Sequence, residues 1–171
     1  MQRPNCALQR FCTADTTYSA PMDTDIYLLG DAYGMQRYEV LDHTADLMIR
    51  ARGNDMGECY ANLAYGMFDQ MVDLSGVRRL EARHVEVSGE DPEDALYSFL
   101  SELLFLEACD GLILCSFSVS VSGDGLSITC DCSGEPLDRS RMHIRTEIKA
   151  VTFHMMAIDS SACEATVLFD V

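Results

Sequence analysis

The period at which apolar residues recur constrains this chain most, because it changes along the sequence and settles at two in the second half. Ile113, Cys115, Phe117, Val119 and Val121 alternate with their neighbours. Gly123-Asp124-Gly125 supplies turn chemistry, and Leu126, Ile128, Cys130 and Cys132 alternate on the way back. A period of two belongs to a strand with one buried face, and two such runs joined by a Gly-rich turn predict a β-hairpin. Residues 134–138 read as a loop. Ile148, Ala150 and Thr152 share one face of a further strand, with Lys149, Val151 and Phe153 on the other. Residues 155–158 and 166–171 predict a closing hairpin around Asp159-Ser160-Ser161.

The first half interleaves two helices with shorter strands. Residues 37–41 and 47–52 read as strands. Met56, Cys59, Tyr60, Leu63, Ala64, Met67, Phe68 and Met71 then recur at three- and four-residue steps, the stripe of an amphipathic helix. Asn54 or Asp55 stands where it can accept from the unpaired N–H groups of that helix start. The Met-rich stripe predicts core packing, with a sticky partner surface as the alternative. A strand follows through Val85 and Val87. Asp91-Pro92-Glu93-Asp94 opens a second helix that carries Leu96, Phe99, Leu100, Leu103, Leu104 and Leu106 and stops at Asp110-Gly111. Apolar over much of its surface, this helix is predicted to be sandwiched. The order β-β-α-β-α-β-β-β-β-β predicts an α+β fold, a largely antiparallel β-sheet with two main helices.

Charge narrows the function classes. Of 171 residues, 28 are acidic and 12 basic, a net −16. Gripping nucleic acid requires clustered Lys and Arg, so direct RNA or DNA binding is not expected. Docking on an anionic membrane is disfavoured for the same reason, and no apolar run approaches the length that spans a bilayer. Residues 1–35 lack a sustained period and are expected to form a disordered extension. A cleavable targeting segment, or a partner-binding segment anchored on Ile26-Tyr27-Leu28-Leu29, are the alternatives. Residues 36–171 are expected to form one domain. The eight cysteines include no C-x-x-C pair and are expected to be mostly buried free thiols in a reducing compartment.

No phosphate-binding glycine loop, nucleophile elbow or kinase set is present. What stands out is acid and His near strand ends. Asp42-His43-Thr44-Ala45-Asp46 lies between two strands, where its carboxylates suit a hard cation or simply stabilise a turn. Glu147-Ile148-Lys149-Ala150-Val151-Thr152-Phe153-His154 contains the only Lys of the chain. His154 is either a donor to a carboxylate or a strand-end residue. Leu168-Phe169-Asp170-Val171 closes the sequence in a strand pattern, so an Asp side chain and a main-chain carboxylate are expected side by side.

Together these segments resemble the archease family. Its signatures match Asp42-His43-Thr44-Ala45-Asp46, Gly134-Glu135-Pro136 followed by an Asp, the segment Glu147 to His154, and the final Asp-Val. The resemblance covers about residues 37–171. It implies a fold related to strand-helix-strand-strand modules. It also implies an accessory factor without catalysis of its own, which activates an RtcB-type RNA ligase in tRNA splicing and RNA repair by promoting guanylylation and multiple turnover. The metal site it implies consists of Asp46, Asp170 and the carboxylate of Val171, with Asp42, His43, Lys149 and His154 as polar support. Such hard oxygens favour Ca, Mg or Mn over Zn. A cytoplasmic location, or a nuclear one as well, would accompany that role. The alternatives are a general chaperone or binding module using the Met-rich helix, and a metal-dependent hydrolase using Asp46 and Asp170 with His43 or His154 as base.

Overall fold

A computed structural model of the protein describes residues 36–42 and 46–171. The readings made of residues 1–35 and of His43 lie outside the described residues. One compact unit spans Gln36–Val171. Its elements are β1 (Tyr38–Leu41), β2 (Leu47–Arg52), α1 (Met56–Met71), β3 (Glu81–Ser88), α2 (Pro92–Asp110), β4 (Leu112–Val121), β5 (Ser127–Pro136), β6 (Ala150–Asp159) and β7 (Glu164–Asp170), with a 3-10 turn at Leu74–Gly76. The strands form two sheets, ordered β1-β2-β7-β6 and β3-β5-β4, and every pairing is antiparallel. The architecture is α+β, as the periodicity predicts.

Both helices start on the same chemistry. Asp55 caps α1 by accepting from the backbone N–H of Glu58 at 2.8 Å, and Asp91 caps α2 by accepting from that of Asp94 at 2.8 Å. In each case the later acid reaches back. Glu58 accepts from the N–H of Asn54, and Asp94 accepts from that of Glu90. Orphan N–H groups on both sides of each start are thereby satisfied. Gly111 ends α2 at φ 63°, a left-handed conformation that costs glycine nothing. The end of α1 is closed from a distance. Arg145 donates its backbone N–H to Met71 O and its Nη1 to Asp69 O, both at 2.8 Å. A guanidinium is favourable at the negative end of the helix dipole. Arg145→Ala is expected to cost about 1–2 kcal/mol in a urea melt.

The helices pack against strands of both sheets. α1 meets β2 and β4, and α2 meets β6 on one side and β3, β4 and β5 on the other. The predicted sandwiching of α2 is therefore present. Tyr60, Leu63, Met67, Phe68, Phe99, Leu100, Leu103 and Phe169 are fully buried. Met67 and Met71 lie in this core, so the sticky-surface alternative loses two of its methionines. Leu103→Ala is expected to destabilise by about 2–5 kcal/mol, measured as a lower denaturant midpoint at unchanged slope.

Three details differ from the sequence reading. The strict alternation of β4 is broken by a register shift between Leu114 and Ser116, and Leu112, Ile113 and Leu114 are all buried. Residues 134–136 are the end of β5, not a loop. Any Cβ on Gly134 would stand 1.9 Å from the Ile113 carbonyl oxygen, so only glycine lets the strands approach there. Finally, the two strands predicted over 148–158 are one strand, β6. Its pairing with β7 shifts between Thr152 and Ala157, and Met155 stands there at φ 58°. An irregularity that re-aims a strand reads in sequence as a break.

Candidate functional site

The four-stranded sheet gathers the predicted residues at one end. β7 lies between β2 and β6 and runs antiparallel to both, so its C-terminal end meets the N-terminal ends of its neighbours. Leu47 pairs with Phe169, and Ala150 pairs with Asp170. Continuing the first register by one residue sets Asp46 beside Asp170. β1 ends on the same side, since Leu41 pairs with Met48, and exposed Asp42 follows it.

Side-chain alternation decides the face. Ile49, Val167 and Phe169 point into the core and are fully buried. Asp170, one step from Phe169, therefore belongs to the opposite face, together with Leu168 and its partner Met48. Met48 and Leu168 are also buried, which gives the acidic end an apolar neighbour.

Lys149 is built into this end. Its Nζ donates to the Val171 main-chain oxygen and its backbone N–H to the Asp170 carbonyl, both at 2.8 Å. One residue thus holds the last two by side chain and main chain, and places a cation beside their negative charge. His154 comes from the same sequence motif but is not brought here. It lies four residues beyond Ala150, about 13 Å further along the strand, and is exposed. Register thus brings Asp46, Lys149, Asp170 and Val171 to one sheet end, with Asp42 just past the end of β1 on the same side, and leaves His154 apart.

The donor chemistry fits a hard divalent ion. Carboxylates are acceptor-only groups, and anions crowded at one edge repel unless a cation joins them. Among the described residues, no three His, Cys, Asp or Glu side chains converge as a ligand group.

The sequence reading missed a second charged centre. Glu135 is only 2 % exposed, yet it accepts from the Arg78 backbone N–H at 2.7 Å, from Arg78 Nε at 2.9 Å and from Arg78 Nη2 at 2.7 Å. Arg141 Nη2 lies 2.8 Å from the same carboxylate. The Arg78 guanidinium, helped by Arg141, holds the Glu135 carboxyl far below its ordinary range, at about 2. This ties residues 78 and 141, on loops before β3 and β6, to the end of β5. The acid between Gly134 and Pro136 was visible in sequence, but nothing local points to its arginines.

Tyr38 belongs to a third network, where its hydroxyl donates to Asp69 and receives from Gln70. Burial, then the Asp69 carboxylate, pushes that hydroxyl up to about 12. Six cysteines are free among the described residues. Cys59, Cys130 and Cys132 are buried, Cys115 and Cys163 half-buried, and Cys109 exposed. Burial pushes the Cys59 thiol up to about 12, which makes it a packing group and not a nucleophile. No helix among the described residues is long and apolar enough to cross a membrane.

A family model described as the Archease protein family (MTH1598/TM1083) matches residues 38–171. The chain belongs to the archease family. Protein archease of Pyrococcus abyssi is 38 % identical over 127 residues, covering 73 % of this chain and 89 % of the relative. Protein archease of Methanothermobacter thermautotrophicus is 38 % identical over 140 residues, covering 80 % and 99 %. Protein archease-like of Drosophila melanogaster is 33 % identical over 141 residues, covering 79 % and 90 %. The solution structure of Methanobacterium thermoautotrophicum protein 1598 superposes with a TM-score of 0.68 at 36 % identity, covering 80 % of this chain and 100 % of that one. The archease fold is thus shared along the whole of a solved relative.

Proposed function

We propose that this archease activates an RtcB-type RNA ligase, promoting its guanylylation and its repeated turnover, and performs no catalysis of its own. What supports the reading is the archease family match over residues 38–171, together with the register that brings Asp46, Asp170 and Val171 to one sheet end, where Lys149 bonds to the last two. In this reading Asp46, Asp170 and the Val171 carboxylate hold a divalent Ca, Mg or Mn ion. When bound, such an ion supplies positive charge that can offset charge developing on a triphosphate. Lys149 keeps the Val171 oxygen in place, and Asp42 adds negative potential that attracts the ion. The sheet edge offers this group on rigid strands, which suits presentation to a second protein.

The net charge supports a helper role. Four of the 28 acids and two of the 12 bases lie in residues 1–35, which leaves 24 and 10, a net −14, on residues 36–171. A surface so acidic repels RNA and leaves RNA binding to the ligase. The test adds the protein to a purified RtcB-type ligase with GTP and cleaved RNA. More turnovers than the ligase gives alone would support the reading, and unchanged turnover would refute it.

A further inference from the structure

Phe153 and Met155 are 54 % and 53 % exposed on β6, the outer strand of its sheet. From this surface we infer that Tyr97, Phe153 and Met155 form the apolar centre of a docking site for a basic protein surface. The inference rests on the ligase reading, which makes the ligase that partner.

Scattered exposed hydrophobic residues are ordinary, but this group is organised. The Tyr97 and Phe153 rings stack with centroids 4.2 Å apart and planes 12° from parallel. Stacking fixes the Phe153 ring before any partner arrives and so reduces the ordering cost of binding. Met155 occupies the left-handed region at φ 58°, where the pairing of β6 with β7 is interrupted. A non-glycine side chain held in that conformation on the surface points to a functional constraint. The same irregularity spoils the edge as a template for strand addition, so recognition falls to side chains.

The charge around the centre selects the occupant. Glu90, Asp91, Glu93 and Asp94 precede Tyr97, and Glu93 and Asp94 share its side of α2 at i−4 and i−3. Neither α2 nor β6 contains a single Lys or Arg. An aromatic centre with an acidic rim repels phosphate, an anionic membrane and an identical copy of itself. It favours a protein surface that places Arg or Lys around an apolar contact, where a cation can also lie over a ring face. A ligase that holds RNA must carry clustered basic residues.

The test measures binding of the full chain to an RtcB-type ligase, together with ligase guanylylation. Phe153→Ala and Met155→Gly are each expected to weaken binding about tenfold, with divalent affinity unchanged. Met155→Gly separates docking from folding, because glycine accepts the left-handed backbone and the melting temperature should hold or rise. Raised salt should weaken wild-type binding. Wild-type affinity in both variants, with normal activation, would overturn this surface and leave the ligase reading standing. A wild type that neither binds nor activates the ligase would overturn both. Variants that lose only self-association in sedimentation would assign the surface to a second copy and overturn the proposal.

Discussion

Glu135→Gln will lower the melting temperature by on the order of 10 °C at neutral pH, and the difference from wild type will shrink in acid. The wild-type carboxylate is buried and receives three bonds from Arg78, with Arg141 beside it. Glutamine keeps the shape but removes the charge that Arg78 is bonded to and that Arg141 lies beside, leaving them only the more distant Asp138 carboxylate. The sign of the pH effect follows from the folded pKa of about 2, below the ordinary carboxylate range. Between that range and pH 2 the unfolded chain binds the proton and the folded chain does not. Stability from Glu135 is therefore complete above the unfolded pKa and fades as pH falls through the folded one. Thermal melts of both proteins from pH 7 to pH 2 measure this. A constant difference across the series would contradict the role of the Glu135 charge.

The second large effect is expected at the sheet end, in the response to divalent ions. Asp46→Asn and Asp170→Asn each remove one proposed carboxylate ligand and keep its shape, so each variant is compared with itself with and without the ion. In a divalent ion at about a hundred times its dissociation constant, wild type should gain about 2.7 kcal/mol, and the variants should lose most of that gain. A peptide joined after Val171 converts the terminal carboxylate to an amide and should act like either substitution. Melts with and without Ca, Mg or Mn separate these outcomes. A divalent-induced shift that survives all three changes would show that other groups bind the ion.

The periodicity carried most of the fold because each element buries a face of its own. Both helix starts were legible, since Asp55 and Asp91 act within three residues of themselves. What escaped was set by contacts distant in sequence. The end of β5 depends on the Ile113 carbonyl fitting over Gly134, and the register shift after Leu114 lies between strands. Residues 148–158 read as two strands because Met155 interrupts the alternation, while β7 holds the strand together on both sides. At the site, motif resemblance named the residues, and only strand register shows which of them meet. Lys149 and His154 stand five residues apart in one motif, yet only Lys149 bonds to the final residues. Arg78 is 57 residues from Glu135, beyond any local pattern.

The central claim is that the acidic sheet end serves a ligase. The most direct measurement is the rate at which a purified RtcB-type ligase becomes guanylylated with GTP and a divalent ion, with no addition, with wild-type protein, and with Asp46→Ala. Wild type is expected to accelerate guanylylation and Asp46→Ala to leave a rate near that of the unassisted ligase, while circular dichroism shows the variant folded. Equal acceleration by the two proteins would contradict that claim.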